Sequence, residues 1–161
     1  MKKIILLFVA IIAVLSLSAC ENQEEKKAEA RDVVRYVNLS QISTALEMYY
    51  NDKWQFPEWK SIYDIENKIY SMYMSIVPTD PNWKPYFYSS LSYNGNKDQW
   101  YILWAQMETS RYCNISAKSK SDLENILKNN NYEFKKVEKL ISTQKTYKAP
   151  CYYVVVGKSD Y

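Results

Sequence analysis

The sequence predicts an α+β fold, with a long N-terminal helix packed on an antiparallel β-sheet. Three observations lead there. Leu39, Ile42, Leu46 and Tyr49 recur at three- and four-residue steps with no Gly or Pro between them, the period of one helical face. After Pro85 the period drops to two, on either side of an Asn94-Gly95 turn signal. Near the C-terminus, Cys151 to Val156 is a run of aromatic and β-branched residues. A lone amphipathic helix must bury its stripe on something, and a sheet is the partner this chain offers.

The first element is a targeting signal. Lys2 and Lys3 form a basic head, Ile4 to Leu17 is almost wholly apolar, and the small residues Ser18 and Ala19 follow. That layout is an export signal peptide over residues 1–19. The apolar run falls short of the ~20 residues that span a bilayer comfortably. Leu17-Ser18-Ala19-Cys20 resembles the lipobox of bacterial lipoproteins. The resemblance implies cleavage between Ala19 and Cys20 and a diacylglyceryl group on the Cys20 thiol. Two or more acyl chains at ~0.8 kcal/mol per buried CH₂ would then hold the protein to the cell envelope, at the outer side of the cytoplasmic membrane or at the outer membrane. An ordinary signal peptide with an incidental cysteine and an uncleaved membrane helix are the alternatives.

Residues 20–30, rich in Glu, Lys and Ala, read as a tether or as the solvated first turns of a helix. Residues 31–161 read as a single domain. The long helix is expected from about Glu29 to Asn51, with Arg31, Asp32, Gln41 and Glu47 on the side away from the apolar stripe. Phe56-Pro57 breaks it. Ile62, Ile65, Ile69, Met72 and Ile76 predict a second helix, stopped by Val77-Pro78-Thr79-Asp80-Pro81. Tyr86 to Tyr93 and Gln99 to Met107 predict a hairpin closed by an Asn94–Asp98 loop. Ser121-Asp122-Leu123-Glu124 has the capping-box pattern of a helix running to about Asn129. Tyr132 to Ile141 fits either strand or helix. Cys151 to Val156 predicts the last strand.

Composition narrows the chemistry. The chain has no histidine, which removes Ser–His–Asp and Cys–His nucleophile systems and the usual neutral-pH acid–base residue. No metal site, cofactor or catalytic set is expected, and the protein is not expected to be an enzyme. Carboxylates such as Asp80, Asp98 and Glu108 show no convergence in their spacing. With Lys2 and Lys3 gone from the 21 basic residues, the mature chain is nearly neutral against its 18 acidic ones, so nucleic acid is not an expected partner. Cys113 and Cys151 are an even pair in an exported domain and a disulfide candidate, worth roughly 4 kcal/mol in the chain-entropy picture. Two free buried thiols are the alternative. The sixteen Tyr and five Trp are either core or a binding surface. Trp83, Tyr86, Tyr88, Trp100 and Trp104 are the candidates for such a partner surface.

The middle of the chain also carries a resemblance. Ala45-Leu46-Glu47-Met48-Tyr49, Phe56-Pro57, Pro78-Thr79-Asp80-Pro81, Tyr86-Phe87-Tyr88 and Tyr101-Ile102-Leu103-Trp104-Ala105-Gln106-Met107-Glu108 follow one another. In that order they resemble the globular head of type IV pilin-like proteins, especially type II secretion major pseudopilins, over residues 31–108. The resemblance implies a pilin-head-like fold. It departs at the N-terminus, where pilins keep an apolar assembly helix after a Gly-Phe processing site with a Glu at the fifth position. Here a lipobox stands instead. The expectation is a monomeric, lipid-anchored, non-polymerising binding or accessory module at the envelope, with an unidentified envelope protein or glycan as partner. An aromatic-rich glycan- or peptidoglycan-binding lipoprotein and a pseudopilin-like secretion component are the alternatives.

Overall fold

The computed structural model describes residues 23–58, 69–93, 95–117, 119–130, 132–143 and 151–158. Ala19 and Cys20, with the rest of the lipobox, lie outside the described residues. Helix α1 spans Lys2–Lys53 and is described from Gln23. Strands β1 (Phe87–Tyr93) and β2 (Asn96–Met107) form a hairpin, helices α2 (Lys120–Asn129) and α3 (Phe134–Thr143) follow, and β3 (Cys151–Lys158) ends the order. The three strands make one antiparallel sheet with β2 in the centre. Leu103 of β2 faces Tyr88 on one side and Val155 on the other. The C-terminal strand therefore belongs to the same sheet as the hairpin.

Helix α1 lies along β2. The Phe56 amide just past the helix donates to the Asp98 carbonyl near the start of β2, while Asp32 meets Glu108 at its end. Ten strand residues at about 3.3 Å each cover about 33 Å, and the helix from Asp32 to Trp54 covers the same length at 1.5 Å per residue. Lengths so matched let the Leu39, Ile42 and Leu46 stripe sit on Tyr101, Leu103, Ala105 and Met107 throughout. The helix ends where Trp54 takes a left-handed backbone (φ 58°) and its amide bonds to the Tyr50 carbonyl, with Pro57 shortly beyond.

The opposite face of the sheet is also covered. Trp100, Ile102, Trp104, Tyr152 and Val154 pack against Leu123 and Leu127 of α2 and Val137 of α3. Trp100 meets Phe134 edge-on with ring centroids 5.6 Å apart. With both faces of the sheet covered, β2 is buried almost without interruption from Trp100 to Met107.

Several boundaries differ from expectation, each for a local reason. The second helix is not continued beyond Ile69: Tyr70 to Ile76 are turns around a Tyr70–Met74 bridge, Ser71 is left-handed (φ 63°), and Met72 and Ile76 are exposed. Ile62 and Ile65 lie outside the described residues. The hairpin is tighter than expected, with Asn96 already paired to Tyr93 and the irregularity absorbed as a bulge between Leu91 and Tyr93. Helix α2 is capped two residues earlier than the Ser121 pattern suggests: Ser119, in extended backbone, accepts from the Asp122 amide at 3.2 Å. Of Tyr132 to Ile141, the part from Phe134 onward is helix, since Phe134, Val137 and Ile141 keep helical spacing against the sheet.

One glycine is dictated by packing. A Cβ on Gly157 would overlap the ring of Tyr101, directly across the β2–β3 pair, and crowd the Glu47 carboxylate. Gly157→Val is therefore expected to lower stability by about 1–3 kcal/mol, as overpacking of a tight site does. Thermal unfolding followed by circular dichroism checks it, and an unchanged melting temperature would contradict the packing described.

Candidate functional site

The most connected polar cluster among the described residues joins α1, the Pro78–Pro85 turn and the end of β2. Its centre is Arg35, which is completely buried together with Asp32. Arg35 Nε donates to Asp80 Oδ2 at 2.5 Å and Nη1 donates to Asp32 Oδ1 at 2.7 Å, while Nη1 also forms an ion pair with Glu108 Oε1 at 2.7 Å. Burial works against the guanidinium charge, but the three carboxylates outweigh it and hold its pKa above the ordinary value. Arg31 forks onto Glu108 through Nε (3.0 Å) and Nη2 (2.6 Å). The Arg31 bonds, opposed by partial burial and helped by Arg35, hold the Glu108 carboxyl down to about 2.

Each carboxylate also organises backbone. Asp32 accepts from the Glu108 and Thr109 amides and from Thr109 Oγ1, which ties the end of β2 to the helix. Asp80 Oδ1 accepts from the Asn82 amide at 2.7 Å and the Lys84 amide at 3.3 Å, folding the turn around its own side chain. One turn further along the helix, Asn38 Nδ2 donates to the Thr79 carbonyl (3.0 Å) and to the Tyr86 hydroxyl (2.8 Å). Burial pushes the Tyr86 phenol up to about 12. The turn that carries Pro-Thr-Asp-Pro is thus held from beneath by two residues of α1.

At the tip of this braced turn stands Trp83, 81% exposed, on a left-handed backbone (φ 58°) with its amide bonded to the Asp80 carbonyl. Lys84 beside it borders two depressions. One is a cleft of about 320 Å³ lined by Lys84, Phe87, Gln106, Ser119, Lys120 and Tyr152. The other is a shallower groove of about 700 Å³ running past Arg31 and Glu108 toward Glu24 and Glu25. Lys120 Nζ sits 4.4 Å from the Phe87 ring centroid, and Phe87 stacks on Trp104, whose buried indole N–H has no hydrogen-bond partner among the described residues.

The five aromatics expected to form a partner surface separate. Trp83 is the exposed one. Tyr86 and Tyr88 are buried beneath α1, and Trp100 and Trp104 beneath α2 and α3, because both faces of the sheet are covered. Asp80 and Glu108 do converge, contrary to their spacing, but on Arg35. Glu108, paired with two arginines and held near pKa 2, is poorly suited to hold a proton for acid–base work. Asp98 lies at the other end of β2. Arg31 and Asp32, expected on the solvent side, face the sheet. Cys113 and Cys151 lie at disulfide distance, with Cα atoms 5.9 Å apart, where the segment through Ile115 pairs with β3. Among the described residues no three His, Cys, Asp or Glu side chains are grouped to hold a metal ion, and no helix is long and apolar enough to cross a membrane.

The sequence did contain a signal for the cluster. Asp32, Arg35, Leu39, Ile42 and Leu46 share alternating steps of three and four, so two charges stand in the core register of the helix.

Comparison with protein-family models, with curated proteins and with solved structures finds no match.

Replacing Arg35 by Met is expected to cost about 3–5 kcal/mol, the usual result of leaving buried charges without their partner. Urea unfolding measures it, and a loss under 1 kcal/mol would mean that the cluster does not hold the turn. Glu108 adds a pH dependence. Its folded pKa of about 2 lies below the ordinary 4.5, so its stabilising effect is fully present above about pH 4.5 and is lost as pH falls toward 2. Thermal unfolding across that window should fall less steeply in Glu108→Gln than in the wild type.

Proposed function

We propose that this protein is a lipid-anchored, non-polymerising pilin-like module that binds a partner at the cell envelope. The anchor rests on Leu17-Ser18-Ala19-Cys20 behind a basic head and an apolar run. The pilin-like reading rests on the order of the sequence segments, and a long helix laid on an antiparallel sheet is compatible with it. The observation that carries the binding role is Trp83. A large aromatic on a left-handed backbone carries a conformational cost, its 81% exposure returns no burial energy, and the turn beneath it is braced by buried Arg35 and Asn38. Strain retained at an exposed, rigid position is what a recognition residue needs, since little side-chain or loop ordering remains to be paid at binding.

A second reading is a glycan-binding lipoprotein. An exposed indole such as Trp83 stacks on a sugar face, and the cleft bordered by its neighbour Lys84 offers the hydrogen-bonding groups of Lys84, Gln106 and Ser119.

Fractionation and binding test the two parts separately. Cys20→Ser is expected to leave the membrane fraction, and its retention there would remove the anchor. Trp83→Ala in the otherwise intact chain should keep its melting temperature and lose binding. Purified peptidoglycan and a panel of soluble envelope glycans serve as probes for the second reading, with retention of wild-type and variant compared directly. Equal retention of both proteins on peptidoglycan would exclude Trp83 as the contact, and no retention of either would remove the glycan reading.

A further inference from the structure

We propose that Trp83 and Lys84 rest on the lipid–water interface beside the Cys20 anchor, as a second point of contact between the domain and its membrane. The inference rests on the reading of Cys20 as the point of attachment, and it names the bilayer itself as the partner of the Trp83 turn.

Lys84 shares one groove with Glu24, Glu25 and Ala28 of α1. Four residues lead from Cys20 to Glu24, and at up to ~3.6 Å each they span at most about 14 Å, whatever their backbone does. The turn that carries Trp83 therefore stands at the end of the domain nearest the attachment point. The other exposed end is remote: Trp54 lies about 45 Å beyond Glu24 along the helix. An uncleaved apolar segment ahead of Cys20 would put the bilayer at the same end. The headgroup layer is about 5–8 Å deep on each side of a bilayer, and a lean of α1 toward the turn brings Trp83 into it.

The side chains at the tip suit that layer. An indole has an apolar body and one N–H, and a lysine has an apolar stem and a charged head. Both collect where hydrocarbon gives way to headgroups. Asn82, Trp83, Lys84 and Pro85 are all exposed, so no carboxylate at the tip repels lipid phosphates. Nearby carboxylates are engaged: Asp80 with Arg35, Glu108 with Arg31, and Glu24 with Lys27. Glu25 is the exception in the groove, so the contact calls for neutral lipid and not for an anionic surface.

A single tryptophan is a weak contact for a free protein. Attachment at Cys20 makes the same contact intramolecular, at an effective concentration on the order of millimolar. Acyl chains alone leave a domain free to pivot, and a second contact on a rigid turn limits that freedom. The left-handed backbone of Trp83 and its amide bond to the Asp80 carbonyl keep the indole in place for it.

The test uses the full chain, reconstituted from detergent into phosphatidylcholine vesicles with or without bromine on the acyl chains near the headgroups. Bromine quenches only indoles that reach the interface. The wild type should float with the vesicles and lose part of its tryptophan emission in the brominated ones. Trp83→Phe should float equally, keep its melting temperature and lose that quenching, while Trp54→Phe should retain it. Soluble envelope glycans added to the vesicles should not relieve it. A chain that floats with no quenching, quenching that survives Trp83→Phe, or quenching relieved by a glycan would each overturn the proposal and leave the anchor standing. A chain that does not float would overturn the anchor reading, and this inference with it.

Discussion

A guanidinium with no exposure to water needs partners for its N–H groups and its charge, and the rest of this fold is arranged to meet that need at Arg35. The partners come from three places: the same helix, the turn before the sheet and the end of the central strand. Satisfying one residue therefore fixes the position of Asp80 against the helix and the register of β2 along it. A buried ion cluster is a weak source of net stability compared with apolar packing of the same volume. Its effect here is geometric. Leu, Ile and Tyr contacts along α1 would tolerate a small slide of the helix on the sheet, while the Arg35 and Asp32 bonds would not. Asn38 extends the same constraint to Thr79 and Tyr86, so the turn is pinned at both ends.

The second constraint is that the sheet has no solvent face. Three strands are few, and a three-stranded sheet open on one side would expose half of the aromatic set. Helices α2 and α3 close that side with short, strongly amphipathic segments whose Leu123, Leu127 and Val137 meet Trp100, Ile102 and Trp104. Tyr and Trp thus supply most of the bulk on both faces. Large flat side chains fill the space between helix and sheet with few residues, which suits a domain with one central strand and only two glycines. One of those glycines, Gly157, is the point where the Tyr101 ring needs room.

How much of this was legible follows from which forces are local. The helix stripe, the hairpin around Asn94-Gly95 and the last strand were readable because periodicity and turn chemistry act over a few residues. The second helix failed past Ile69 because left-handed Ser71 and its backbone bonds stop it, and nothing in the apolar spacing reports a turn. The aromatic surface failed for a long-range reason: alternation identifies the two faces of a strand but not what covers each one. Trp100 and Trp104 look like surface residues until α2 and α3 are placed. The charge cluster lay between these cases. Asp32 and Arg35 stood in the core register, but their partners Asp80 and Glu108 are 45 or more residues away, and only the fold brings them together.

These constraints divide the helix by side as well as by length. Toward the sheet, α1 carries charges that must be paired and apolar residues that must be covered, and the domain supplies both. Away from the sheet, its exposed residues between Ala30 and Met48 are uncharged. The outer valines Val33, Val34 and Val37 are 39–44% exposed, so a good part of each meets water. Trp83 presents the same asymmetry on a smaller scale, as a residue whose left-handed backbone opposes folding and whose exposed ring gains nothing from it, while the braced turn beneath keeps it in place. Both features lie on the outside of the Arg35 junction. The interior interaction that fixes the helix and the turn is thus also what holds the two unexplained surfaces rigid, and a rigid apolar surface loses less entropy on meeting a partner than a mobile one.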